Sequence, residues 1–276
     1  MVMQNIVQTK KTHNGTKDCF QTLLHPAIMP DEYVTNLATQ GLQHRAVNHP
    51  YLNALETGNL PNLEWALKDF AQQYMSYSKH FPRYLTAVIS RLETKEHRDL
   101  LIQNLMEESG NYQQEELDEL STIGVEPKWI VGIPHCQLFK RFGEALGVNF
   151  AEATTETDEV ICWRDMFFKL LTSDSPAQAL GALGLGTEGI VSTMYIPFVK
   201  AIDLFGKIPP KDAVFFKLHT AVDDHHQQAL YDICIDYAKI DINRDYLRYG
   251  MLKALSLRTI FWDWMYTRAL NPEIAQ

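Results

Sequence analysis

The chain has 276 residues, 46% of them hydrophobic and 21% charged, with a formal net charge of −9. That length and balance describe a globular chain with a sizeable core, and the acidic excess argues against nucleic acid or an anionic membrane surface as the main partner. Cys19, Cys136, Cys162 and Cys234 lie far apart with no CxxC pair, which excludes a zinc ribbon and a disulfide framework and fits a reducing compartment.

Residues 1–20 are polar after the sixth position and lack the apolar centre of a signal peptide. They read as a tail or strap ahead of a helical domain over 21–276. No run approaches the roughly 18 to 20 apolar residues that cross a bilayer, so no membrane partner and a cytoplasmic location are expected. From Pro30 the pattern is helical. His49-Pro50-Tyr51-Leu52 precedes a turn at Gly58-Asn59, and Leu63–Lys79 sets Trp65, Phe70, Tyr74 and Tyr77 at helical spacing. Such an aromatic stripe is expected in the core.

Pro82 interrupts, and a helical pattern then runs from Arg83 toward Glu108. Glu108 shares its face with Leu101 and Leu105, whereas Glu107 shares with Gln103 and Asn104, so periodicity turns Glu108 inward. Both could simply decorate a helix end, but carboxylates there oppose the macrodipole. Residues 111–134 read as a loop in which Glu115–Glu119 forms a solvated helical turn. Pro134 sets up another helix start. His135 heads its apolar face of Leu138, Phe139, Phe142 and Leu146; a histidine in that place is a core or capping residue unless partners converge on it.

Asp158–Leu171 forms a further helix with Trp163 and Phe167, followed by the apolar, glycine-rich run ALGALGLGTEGIVSTMYIPFV. Glu188 stands in that run, where an ionised carboxylate is costly unless paired or bound to a metal; the alternative is a surface position at a glycine-rich bend. Tyr195 lies seven residues on, on the same face. The stretch Phe215–Leu230, FFKLHTAVDDHHQQAL, reads as one amphipathic helix within 211–239 and carries His219, Asp223 and His226. At about 100° per residue, offsets of four and seven return to nearly one face. Imidazole and carboxylate on one stripe suit iron, manganese or zinc, although a polar face that merely collects titratable residues would look the same. A last helix spans roughly Arg244 to Ala269. Seven or eight helices with short links and no repeat predict a single all-α bundle.

Glu108, His135, Glu188, His219, Asp223 and His226 together supply three carboxylates and three imidazoles. Two divalent first-row metals sharing carboxylates, with positions open for dioxygen, would use that set. A single zinc site has no use for so many ligands.

At this point the chain resembles the haem-oxygenase-like diiron oxidases, relatives of thiamin-salvage and PQQ-synthesis proteins. The matching blocks are HPYLNALETGNLP, FPRYL, NLMEESG with Glu108, HCQLFKRFGEALGV with His135, GALGLGTEGIVSTMYIPF with Glu188, and FFKLHTAVDDHH with His219, Asp223 and His226. The last two, 31 residues apart from Glu188 to His219, are the most specific. One departure stands out: 26 residues intervene between Glu108 and His135, which are close together in much of the family, so 111–134 looks like an insertion.

The resemblance implies a seven-helix haem-oxygenase-like fold holding two Fe(II) ions, manganese being the alternative, with O2 as co-substrate. It implies oxidation of a small carboxylate-bearing metabolite, an amino acid or derivative, by N-oxygenation or C–C or C–H cleavage in natural-product biosynthesis. Oxidative decarboxylation of a fatty acid to a terminal alkene is the runner-up; a cofactorless oxidase or a helical interaction module is a further alternative. A homodimer and an electron donor are compatible with the family. Arg83, Arg141, Arg164 and Lys200 are candidates for meeting a substrate carboxylate, unless they are surface ion-pair partners. Aromatic residues such as Tyr74, Tyr77, Phe167 and Tyr195 could equally wall an acyl-chain tunnel.

Overall fold

Helix starts are written locally along this chain. The computed structural model describes residues 28–151, 156–221 and 225–275, without the side chains of residues 221, 225 and 226. The expected tail over 1–20 and the ligand candidate Asp223 therefore lie outside the described residues, and of His226 only the backbone is described. Helices α1 (Pro30–Gln43) and α2 (Pro50–Thr57) each open on a proline, whose missing N–H is no loss in a first turn. His49 caps α2 by accepting the Tyr51 N–H at 3.1 Å, and Asn62 caps α3 (Leu63–Ser78) by accepting the Trp65 N–H at 2.9 Å.

The single helical pattern expected from Arg83 to Glu108 is two helices, α4 (Phe81–Ile89) and α5 (Lys95–Glu108). Pro82 starts α4 instead of only ending its predecessor, and Thr94 caps α5. The segment 111–134 also differs from the expected loop, because it contains α6 (Gln114–Thr122) and a 3₁₀ turn, Pro127–Trp129. Glu116, expected in solvent, is 8% exposed because its carboxylate folds back to accept the Gln113 N–H at 2.7 Å, a capping box.

Helix α7 (His135–Ala145) follows, then α8 (Asp158–Leu171) and α9 (Pro176–Leu180). From α9 the chain continues through a π-helical segment, Gly181–Glu188, into α10 (Gly189–Phe205). This run, Pro176–Phe205, is long and apolar enough to cross a membrane, but 78% of its most apolar window is buried inside the fold. The predicted helix over 211–239 is described as α11 (Val214–Ala221) and α12 (His225–Tyr237), their junction lying outside the described residues. Helix α13 (Asp241–Leu270) closes the bundle. All regular elements among the described residues are helical.

Two close approaches fix the long elements against each other. A Cβ at Gly181 would stand 2.0 Å from the Leu247 carbonyl oxygen, and one at Gly250 would stand 2.0 Å from that of Gln178. The α9–π run and α13 thus touch backbone to backbone. Beside them lies an aromatic centre in which Phe70 meets Phe198 at 4.2 Å and Phe139 edge-on at 5.8 Å between ring centroids. Phe139 and Phe198 in turn pack against Phe215 and Tyr195.

Candidate metal centre

Glu108 is the last residue of α5 and His135 the first of α7. The turn after α5 brings them together across residues 111–134. Gly110 adopts φ +88°, which L side chains rarely adopt, and a Cβ there would also strike the Ile133 backbone nitrogen at 2.5 Å. The Gly132 N–H then donates to the Gly110 carbonyl at 2.8 Å, pinning the base of the loop shut. His135 Nδ1 consequently lies 3.0 Å from Glu108 Oε1, and its Nε2 lies 2.7 Å from the Tyr112 hydroxyl. Burial first, then the carboxylates of Glu108, Glu107 and Glu116, push the Tyr112 phenol far above its ordinary range, so it stays protonated.

His219 reaches the same point from α11. Its Nδ1 lies 2.7 Å from the Phe215 carbonyl oxygen. A carbonyl only accepts, so Nδ1 carries the proton and Nε2 keeps its lone pair for the site. The His135 and His219 rings meet edge-on at 5.1 Å. Glu108, His135 and His219 each offer a ligand atom, and these atoms all lie within 4.8 Å of one another. One carboxylate and two imidazoles, largely buried, form a donor set that fits ferrous iron and leaves further positions open.

Glu188, 6% exposed, ends the π segment, where Thr187 donates to the Ala182 carbonyl five residues back at 3.0 Å. The wider π turn is a recurrent device at functional sites. Glu188 lines one cavity of about 30 Å³ together with Glu108, His135 and His219. Four of the six candidate ligands therefore face one space; Asp223 and the His226 side chain are outside the described residues. Glu107 is buried as deeply as Glu108, at 6%, but lines a different cavity with Asn104, Gln113 and Glu116.

The same cavity carries a buried cation that the sequence reading did not anticipate. Tyr74 and Tyr77, put forward both as core and as walls, and Tyr195, put forward as a wall, line it along with Arg258, which was not put forward. Arg258, on α13, is 2% exposed and donates to the Tyr74 hydroxyl at 3.4 Å and the Tyr77 hydroxyl at 3.3 Å. Its guanidinium also sits 5.4 Å from the ring centroids of Tyr77 and Trp163. Burial opposes its charge and the oxygens of Tyr74, Tyr77 and Tyr195 favour it, so the guanidinium stays protonated. Tyr74 and Tyr195 share a 2.8 Å hydrogen bond. If Tyr74 accepts from Arg258 and donates to Tyr195, the Tyr195 hydroxyl proton is left to face the cavity.

None of the cations put forward from the sequence lines this space. Arg83 lies over the Phe168 ring, and Arg141 donates to the Trp129 and Lys211 carbonyls. Arg164 pairs with Glu156 and Asp165, and Lys200 pairs with Glu56. Phe167 is core. The signal for Arg258 was its placement among Leu255, Phe261 and Trp262, a charge on an apolar helix face.

Comparison with known proteins assigns the family. A family model described as iron-containing redox enzyme matches residues 68–259. The chain is 28% identical over 182 residues to a 4-aminobenzoate synthase of Chlamydia muridarum, covering 65% of this chain and 68% of that protein. It is 28% identical over 163 residues to the 4-aminobenzoate synthase of Chlamydia trachomatis, covering 58% and 62%. Among solved structures, a CADD-like protein of unknown function from Nostoc punctiforme superposes with a TM-score of 0.68 at 18% identity, over 87% of this chain and 99% of that one. A domain of unknown function with a haem-oxygenase-like fold from Shewanella denitrificans gives 0.64 at 12%, over 88% and 93%. The chain belongs to the iron-containing redox enzyme family, a family of oxidoreductases with a haem-oxygenase-like all-α fold.

Proposed function

Taking that membership as premise, we propose that the protein is a non-haem diiron oxidase that uses O2 to oxidise a small carboxylate-bearing metabolite. Glu108, His135 and His219 would hold one ferrous ion, and Glu188 would share in a second with Asp223 and His226. The observation that supports this most is that Glu108, His135 and His219 present ligand atoms within 4.8 Å of one another in a buried pocket. Iron, when bound, supplies the redox chemistry with dioxygen that no side chain here can perform.

The chain's own residues have other roles in this reading. The Phe215 carbonyl and the Tyr112 hydroxyl orient the two imidazoles, as outer partners of metal-binding histidines commonly do. Phe215, Val191 and Phe81 line the cavity and exclude water. The Tyr195 hydroxyl can deliver or hold a proton beside His219, whose ring centroid is 5.6 Å from its own. The cavity of about 30 Å³ gives no support to a long acyl chain, and we place an amino acid or aromatic acid ahead of a fatty acid. The chlamydial relatives' name, 4-aminobenzoate synthase, is compatible with a small aromatic product here as well. With a net charge of −9, the partner we expect is this small molecule, not nucleic acid.

The test is oxygen consumption after anaerobic addition of ferrous iron. Iron-dependent uptake of O2 in the wild type, lost in His219→Ala and Glu188→Ala with folding intact, is the expected result. Uptake that survives exhaustive chelation, or that both variants retain in full, would remove the proposal.

A further inference from the structure

Arg258 presents an energetic problem that the metal centre does not solve. A guanidinium has five N–H donors, and this one is 2% exposed. Two nitrogens reach only the phenols of Tyr74 and Tyr77, at 3.4 and 3.3 Å, and Nε has no hydrogen-bond partner at all. Among the described residues, no ion pair involves Arg258. A buried, always-charged group left with neutral and long contacts is destabilising unless an anion completes it.

The same residue lines the cavity that Glu108, His135, Glu188 and His219 line. Rings hold it from the side, since Tyr77 stacks on Trp163 at 4.1 Å with planes 5° apart and both lie beside the guanidinium. A group held this way loses little side-chain entropy on binding. Its fork geometry matches a carboxylate bidentately, whereas a lysine would offer only a point charge. The cavity of about 30 Å³ has room for the two oxygens of such a group, at roughly one small probe sphere each.

We propose that Arg258, braced by Tyr74 and Tyr77, is the substrate-anchoring subsite of this cavity: it takes the carboxylate of a small organic acid and turns the remainder of that molecule toward Glu188 and His219. The proposal rests on the diiron reading for what happens next, but not for the anion binding itself. Arg258 is thus a binding and positioning residue, separate from the metal ligands.

Sodium acetate and its neutral isostere acetamide, at fixed ionic strength, are the probes, and the thermal midpoint is the readout, with iron content measured in parallel. Both iron-loaded anaerobic protein and metal-free protein are titrated, because acetate can also ligate iron. The expected result is a saturable, acetate-dependent rise in the midpoint of both forms that acetamide does not give. Arg258→Lys should raise the half-saturating acetate concentration about tenfold, and Arg258→Met should abolish the response while binding iron like the wild type. Equal effects of acetate and acetamide on the metal-free wild type would overturn the subsite whether or not the variants fold. So would an undiminished acetate response in Arg258→Lys or Arg258→Met. If acetate acts through Arg258 but the wild type takes up no iron, the anchor stands and the oxidase reading fails.

Discussion

Two walls of one cavity are built by opposite means. On the first, Glu108 and His135 occupy helix ends, and side-chain hydrogen bonds through Tyr112 and a pinned loop base hold them in place. On the second, Glu188 and Arg258 sit within helical runs whose backbones touch at Gly181 and Gly250. The first wall can be retuned by changing one hydroxyl. The second can be moved only by prising two long elements apart, so its geometry is inherited from the fold itself.

Breaking the second wall should have the largest effect. Gly250→Ala drives a Cβ into the Gln178 carbonyl, 2.0 Å away, and should cost about 3 kcal/mol or prevent folding. A denaturant midpoint close to the wild type would show that the contact is not what positions Arg258. Removing a proposed ligand should leave stability nearly unchanged yet weaken iron. For His219→Ala we expect a loss of more than about 100-fold in ferrous affinity, since even losing a hydrogen-bond partner of a ligand costs roughly 10- to 100-fold. A melting curve that collapses along with iron binding would instead make His219 a packing residue.

Retuning the first wall should be gentler. Tyr112→Phe deletes the hydroxyl 2.7 Å from His135 Nε2 and should weaken iron binding roughly tenfold with the fold intact. An unchanged affinity would mean that Glu108 alone orients the imidazole. The smallest effect lies away from both walls and sets the pH range over which they can be compared. Burial, opposed by a 3.1 Å hydrogen bond to Asp263, holds the His49 pKa below its ordinary value. The unfolded chain therefore binds that proton first. Stability is fully present above the unfolded value of about 6.5 and is lost as pH falls below it. His49→Gln should flatten the slope of stability between pH 7 and pH 5; an unchanged slope would assign it to other groups, among them His44 and His80, whose pKa values are also lowered by burial.

How legible each wall was in the sequence follows from the same contrast. The helical class and the long last helix could be read from periodicity, because an apolar stripe repeats over many turns. The burial of Glu108 could be read from its face, although Glu107, which the same reading set on the polar face, is buried as deeply; that of Glu188 could be read from its being a lone carboxylate in an apolar run. The split between α4 and α5 was not legible, because a capping threonine and a four-residue turn leave no gap in the hydrophobic pattern. Arg258 was passed over because arginine is common on long helices, and its burial depends on Gly250 and Gly181 meeting partners some 70 positions away in the chain. Tyr74 and Tyr77 were read as core or as walls and are buried, but that their hydroxyls meet Arg258 was not legible. Period alone cannot separate a buried ring from a buried ring with a polar task.

The most direct measurement is the number of ferrous ions bound per chain under strict anaerobiosis, in the wild type and in His219→Ala. The account predicts two per chain in the wild type and a marked loss in the variant, with both proteins folded. A wild type that binds none, or a variant that binds as many as the wild type, would contradict it.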